Sequence, residues 1–411
     1  MVRVLVAAQI LSGAGLAAGI TVGALLAKDM LDSTGLAGLP SALFTAGSAL
    51  AAVAVGRMSQ ARGRRPGLAA GYLVGAAGSL GVVAAAAVDD PVLLFVALFV
   101  YGAGTATNLQ ARYAGADLAN ASHRGRAVAT VLVATTLGGV VGPNLAAPTG
   151  ALAEALGIPH LAGPFLLAAA AYALAALVLT LWLRPDPLLL ARTLPVDGDS
   201  SAAEAGTSTA AAPARTGGSV AVGALVMAVT QLVMVAIMTM TPVHIHDHGH
   251  GTAASGLVIA IHVGAMYLPS PLTGWLVDRY GRLPVAAAAG LTLLAAGLLA
   301  ATAPGDSVAL LALALALLGV GWNFGLLAGT AIVADAVPIA TRAKTQGLVD
   351  VSIAIAGAAG GLGSGLVVAA ASYPALALTG GVLAVAVVPV VAHASRGRRE
   401  LDLGVRSSTA E

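Results

Sequence analysis

Apolar stretches of about twenty residues, separated by short segments that hold most of the charge, recur along the whole chain. Judged by hydropathy and by the Pro, Gly and acidic residues between them, they fall at about residues 4–27, 39–58, 67–88, from 92, from 127, 161–183, 220–241, 253–277, 285–303, 308–334, 347–371 and 374–393. A helix rising about 1.5 Å per residue crosses a hydrocarbon core of about 30 Å in roughly 20 residues. The pattern therefore predicts an all-α membrane protein of twelve transmembrane spans, 1 to 12 in chain order. Span 1 carries Gln9, Ser12, Gly13 and Gly15, small or polar residues that let neighbouring backbones approach closely.

Two charged hairpins between spans share one pattern. Residues 56–66 read GRMSQARGRRP and residues 274–284 read GWLVDRYGRLP. Gly56 and Gly274 are 274 − 56 = 218 apart, and the same offset carries Gly63 onto Gly281, Arg64 onto Arg282 and Pro66 onto Pro284. One charged loop further on, it carries Asp117 onto Asp335, Arg124 onto Arg342 and Arg126 onto Lys344. A single offset holding across two loops and the spans between them marks a duplication. The expected organisation is a six-helix half over 1–183, a linker over 184–219, a second pseudo-symmetric six-helix half over 220–395 and a cytoplasmic tail over 396–411. Residues 184–219 are rich in Pro, Ala, Ser, Thr and Gly without periodicity, which predicts a flexible cytoplasmic connection.

Hydrophobic residues make up 58% of the chain and charged ones 9%, too few charges to cover a soluble domain. The charges sort by side. Arg57, Arg62, Arg64 and Arg65, then Arg124 and Arg126, Arg184 and Arg192, Arg279 and Arg282, and Arg342 and Lys344 fall in alternate loops, with Lys28 left for the opposite side. Asp89, Asp90, Glu154, Asp247 and Asp306 occupy that opposite side. Both termini are thus expected in the cytoplasm of a bacterium, with the bundle in its plasma (inner) membrane. The same distribution explains the basic balance without nucleic acid. Arg3 ahead of the first apolar run has the look of a signal peptide, but its removal would leave the first half one span short, so the segment is expected to stay. The absence of Cys excludes disulfides and thiolate metal sites. No Walker loop and no nucleophile, carboxylate-pair or zinc-protease spacing stands out, so neither an enzyme nor an ATP-driven pump is expected, and no cofactor.

The hairpin form G-x-x-x-D-R-x-G-R resembles the loop signature of the major facilitator superfamily. Gly274, Asp278, Arg279, Gly281 and Arg282 match it; the first copy keeps Gly56, Gly63 and Arg64 but has Gln60 and Ala61 in place of the Asp-Arg pair. The stretch GGVVGPNLAAP in span 5, with Gly138, Gly142 and Pro143, is similar to the helix-5 signature of that family's drug:proton antiporters, although Ala146 and Ala147 stand where it closes with glycines. The antiporter arginine of span 4 would fall on Leu98, ahead of Gly102 and Gly104. The resemblance implies the major facilitator fold, two halves rocking about a central cavity, and a cytoplasmic latch. Asp278 would form that latch against the start of span 5, with Gln60 a weaker counterpart against span 11.

Polar and ionisable residues at membrane depth are costly unless paired or used. Arg112 in span 4, whose counterpart at the 218 offset is Thr330, either attracts an anion, acts on a carboxylate, or snorkels to the interface. Asp350 in span 11, with Leu132 at the matching position, either carries the coupling proton or is held by its helix N-terminus, Lys344 or Arg342. His262 in span 8 either relays protons or is a core histidine bonded to a carbonyl. Trp322, Asn323 and Phe324 of span 10, opposite Tyr101, Asn108 and Gln110 of span 4 and joined by Gln9, line an amphipathic solute cavity or pack the bundle. His244, His246, His248 and His250 alternate beside Asp247 at the end of span 7, as an outer gate or pH-responsive loop, as plain loop packing or as a divalent-metal site; no bound metal is expected.

The resulting expectation is a monomeric, proton-coupled secondary transporter that exports a small amphipathic drug-like molecule or metabolite by alternating access. Its partners are the solute, protons and the lipid bilayer. The alternatives are an uptake permease for a small organic or anionic solute, and a transporter-like sensor or assembly partner.

Overall fold

The computed structural model describes residues 1–31, 39–194, 216–250 and 252–394. The first half comprises α1 (Val2–Leu31), α2 (Leu39–Arg62), α3 (Arg64–Val88), α4 (Pro91–Ala116), α5 (Arg124–Asn144), α6 (Ala146–Ala155) and α7 (Gly163–Trp182), followed by the short α8 (Pro187–Thr193). The second comprises α9 (Thr216–Asp247), α10 (Thr252–Tyr267), α11 (Ser270–Tyr280), α12 (Arg282–Thr302), α13 (Val308–Ala336), α14 (Arg342–Ala370) and α15 (Tyr373–Val385). Among the described residues there is no strand, and nine helical stretches are long and apolar enough to cross a membrane by length and composition. The remaining positions of the first half are filled by α1, α2 and α5, of 30, 24 and 21 residues.

Local chemistry sets where these helices start and stop. Gly63 and Gly281 have φ of 100° and 98°, in the left-handed region that glycine enters without strain, so α2 turns into α3 and α11 into α12 across a single residue. Asp90 caps α4 by accepting from the amides of Val92 and Leu93, with Pro91 in the first turn where no amide hydrogen is needed.

Two expectations change. Span 8 is not one helix over 253–277: it breaks between Tyr267 and Ser270, around Pro269 and Pro271, because proline removes an amide donor and clashes with the preceding turn. The second concerns the opening residues of the segment expected as the linker, which are helical over Pro187–Thr193. Asp186 caps α8 through the amides of Leu188 and Leu189, and its other oxygen accepts from the Arg65 amide at 2.7 Å, docking the segment on the first half. Residues 195–215 of that linker, and the tail from 395 onward, lie outside the described residues.

The halves meet where backbones touch. A Cβ on Gly56 of α2 would stand 2.8 Å from the Ala343 carbonyl oxygen and 3.0 Å from the Gly347 Cα of α14. At the equivalent place, a Cβ on Gly274 of α11 would stand 2.7 Å from the Gly125 carbonyl oxygen of α5. The hydrophobic core of the second half takes in Ala116, Val128, Ala129 and Leu132 of the first, so apolar burial continues across the interface.

Within the first half, α5 is seated on α1 by the same device. A Cβ on Gly138 would overlap the Ile10 carbonyl oxygen and lie 2.6 Å from the Ala14 amide, whereas one on the adjacent Gly139 meets nothing within 4 Å. Gly138→Ala is therefore expected to lower the thermal midpoint of the purified protein in detergent by several degrees, the effect of roughly 1–3 kcal/mol of overpacking. Gly139→Ala should leave the midpoint unchanged or raise it. Equal effects of the two substitutions would contradict the seating.

Candidate transport site and gate

The residues of α4 and α14 that face each other carry opposite charges with no water between them. Arg112 lies 116 − 112 = 4 residues before the end of α4, and Asp350 lies 350 − 342 = 8 residues into α14, about 6 Å and about 12 Å from the charged loops. Arg112 Nη2 donates to Asp350 Oδ1 at 2.7 Å and to the Tyr113 hydroxyl at 2.9 Å, and Tyr113 donates to the same Oδ1 at 3.3 Å. Arg112 Nε donates to Thr330 Oγ1 of α13 at 3.0 Å, Nη1 donates to the Leu109 carbonyl, and the guanidinium lies 4.2 Å from the centre of the Tyr113 ring. Both charged side chains are buried. Arg112 thus does not snorkel, and the partner of Asp350 is neither Lys344 nor Arg342. Snorkelling needs an interface within reach of the side chain, and here the second half covers it. Asp350 Oδ2 is buried without a hydrogen-bond partner.

One turn nearer the charged loops, a second arginine grips the same helix. Arg64 is buried and holds Asp117 through two bonds of 2.7 and 3.2 Å, and its Nη2 also donates to Gln346 of α14 at 2.5 Å. Gln346 and Asp350 are four residues apart on α14 and share a face. Their counterparts on α5 are the apolar Val128 and Leu132. Between Arg64 and Arg112 lies the ring of Tyr113, 6.0 Å from the Arg64 guanidinium.

The hairpin residues sit at the same end. Asp278 accepts from the Gly125 and Arg126 amides at the start of α5, at 2.8 and 3.0 Å. Gln60 Oε1 accepts from the equivalent amides of Ala343 and Lys344 at 2.8 and 3.4 Å, and its Nε2 donates to the Ile339 and Ala340 carbonyls. Arg282 pairs with Asp335 at 2.8 Å and reaches the Ala121 carbonyl of the other half; Arg124 also pairs with Asp335. Arg279 is exposed. Gly142 and Gly138 lie in α5 as expected; the side chain of Pro143 lies outside what is described.

The amides of Gln9, Asn108, Gln110 and Asn323 take up positions within single halves. Gln9 donates to the Asn108 carbonyl and to Thr135 and accepts from Tyr72, while Asn108 donates to Ser12, joining α1, α3, α4 and α5. Gln110 donates to the Ala52 carbonyl of α2. Asn323 donates to the Met266 carbonyl and Ser270 and accepts from Thr273, bridging the break between α10 and α11. These side chains spend their bonds on packing, the commoner fate of an amide between helices. His262 is buried with Nδ1 2.8 Å from the Leu315 carbonyl oxygen. Trp322 donates to Gln231 at 2.7 Å and meets Tyr267 edge-on, and Phe324 packs half-buried against the core of its half. His244 stacks on Tyr373 and against His248, whose Nδ1 lies 2.8 Å from the His244 carbonyl oxygen. Among the described residues no group of three or more His, Cys, Asp or Glu side chains is placed to hold a metal, so His246 and His250 complete no metal site with them.

Tyr113, Gln346, Gln231 and Tyr267 were not singled out by the sequence. Gln231 and Gln346 stand as lone amides opposite Gly13 and Val128 at the 218 offset, the signal that would have found them.

The family profile described as Major Facilitator Superfamily matches residues 5–268 and 223–409. The chain is 56% identical to the MFS-type transporter YdeG of Bacillus subtilis (strain 168) over 390 residues, 95% of this chain and 90% of that protein. It is 31% identical to the riboflavin transporter RfnT of Brucella anthropi over 349 residues, covering 84% of this chain and 83% of RfnT. The backbone is similar to that of the human organic anion transporter MFSD10, with a TM-score of 0.73 over 95% of this chain and 98% of that one; at 16% identity the likeness is one of fold.

Removing the charge from the Asp278 latch tests the gate. A carboxylate bonded to two amides at a helix N-terminus contributes about 1–2 kcal/mol. In Asp278→Asn, a cysteine placed at the buried Ala343 of this otherwise cysteine-free chain is expected to react with maleimide roughly tenfold faster. An unchanged rate would show that Asp278 does not hold this end shut.

Proposed function

The chain belongs to the major facilitator superfamily, a membrane-embedded secondary transporter of a small solute, and from that premise we propose that it is proton-coupled through the Arg112–Asp350 pair. The observation that carries this reading is a buried ion pair between the two halves, with one carboxylate oxygen left unpartnered. With the charged loops on the cytoplasmic side, opening the cavity inward draws α4 away from α14 and parts the pair. Separating buried charges costs several kcal/mol unless each finds a new partner. A proton on Asp350 removes one of the two charges and so lowers the barrier to inward opening. Proton uptake thereby sets which side the cavity faces, as alternating access requires.

A second reading, export in exchange for protons, is favoured by the Gly138–Gly142 stretch of α5, whose tight seat on α1 accompanies its similarity to the antiporter signature.

Proteoliposomes test the coupling. Supplied with cationic dyes, neutral drugs and small organic anions, wild-type protein is expected to move protons with at least one of them, and Asp350→Asn to move that solute without protons. Solute movement in the wild type that ignores the pH gradient would contradict the reading.

A further inference from the structure

The charge balance of the pair points to the chemistry of the solute: we infer that it is a small organic anion, bound by Arg112 in place of Asp350 and carried together with one proton. The inference rests on the coupling role proposed for this pair. Among the described residues the buried charged side chains are Arg64, Arg112, Asp117 and Asp350. Arg64 takes its carboxylate from its own half, through Asp117, and keeps it whichever way the halves rock. Arg112 takes its carboxylate from the other half. Opening this end leaves Arg112 as a buried cation without an anion, and a guanidinium does not escape the cost by deprotonating.

Asp350 has such an escape. Arg112 and Tyr113 face it from α4, and Gln346, which accepts from Arg64 at the start of α3, stands one turn away on its own helix. Once Arg112 has left, a proton neutralises Asp350 where it stands. A cationic solute would add a second positive charge to a site with one carboxylate. A neutral solute would leave Arg112 unmatched. A carboxylate or similar anion accepts from the guanidinium as Asp350 does, with Thr330 and the Tyr113 hydroxyl beside it. Anion and proton then enter as an electroneutral pair, in the same direction, which is the opposite of exchange.

The test uses three probes of one shape and different charge, benzoate, benzamide and benzylammonium, titrated calorimetrically into the purified full-length protein in detergent. Benzoate is expected to bind at least tenfold more tightly than the other two. Asp350→Asn, which removes the internal competitor, should tighten benzoate roughly tenfold. Arg112→Gln should abolish benzoate binding, and Arg112→Lys, which keeps the charge, should retain part of it. Equal binding of benzamide or benzylammonium, no benzoate binding, or benzoate binding indifferent to Arg112→Gln would overturn the inference. A pH indicator in weakly buffered solution separates it from the coupling reading. Arg112-dependent binding without proton uptake upholds the anion but overturns its pairing with a proton, whereas proton flux in proteoliposomes driven only by a cation or a neutral solute upholds the coupling and overturns the anion.

Discussion

A guanidinium and a carboxylate taken out of water cannot be parted cheaply, and in this protein the two belong to different halves of the chain. Arg112 and Asp350 meet at 2.7 Å across 238 residues of sequence, with Tyr113 and Thr330 completing the shell around the guanidinium. Apolar helix packing alone would let the halves slide at little cost, because apolar surface is as well solvated by lipid as by another helix. The ion pair makes separation conditional on chemistry. Close glycine contacts at Gly56 and Gly274, and the bonds that Gln60 and Asp278 accept from backbone amides of the other half, lie nearer the loops at the same end.

The duplication explains what is scaffold and what is not. Gln60 and Asp278 accept from equivalent amides, Arg64–Asp117 and Arg282–Asp335 are equivalent pairs, and Arg124 and Arg342 reach the equivalent carbonyls of Ala119 and Val337. Arg112 and Thr330 are equivalents of each other and are hydrogen-bonded, so the axis relating the halves passes between them. At that axis the symmetry fails: one side offers a cation, the other a hydroxyl, and Gln346 and Asp350 of α14 have the apolar Val128 and Leu132 of α5 as their own counterparts. A charge that appears once in a doubled framework is the part that distinguishes one half from the other.

Hydropathy and the 218 offset made the helical bundle, its two halves and the repeated hairpins legible before any coordinates, because each rests on local pattern or repetition. Arg112 and Asp350 were both legible as unduplicated charges near the same end of the bundle, but their pairing was not. Which helix faces which is a tertiary fact that hydropathy does not encode. The same gap explains the amides: Gln9, Asn108 and Asn323 are conspicuous as polar residues in apolar spans, yet polarity does not reveal the helix face, and their bonds close within a half. The break in span 8 was written in Pro269 and Pro271, and the apolar run on either side masked it.

The central claim is that Arg112 and Asp350 act as one unit holding the two halves together at the charged end. Spin labels on cysteines at the exposed Arg57 and Arg279, one in each half, report the width of that end by pulsed electron resonance. The measurement is made on wild type, Arg112→Gln, Asp350→Asn and the double variant at one pH. The account predicts that each single substitution raises the wide population and that the double variant is no wider than the more open single one, since the pair is broken only once. Additive widening in the double variant would show two residues acting independently and would contradict the account.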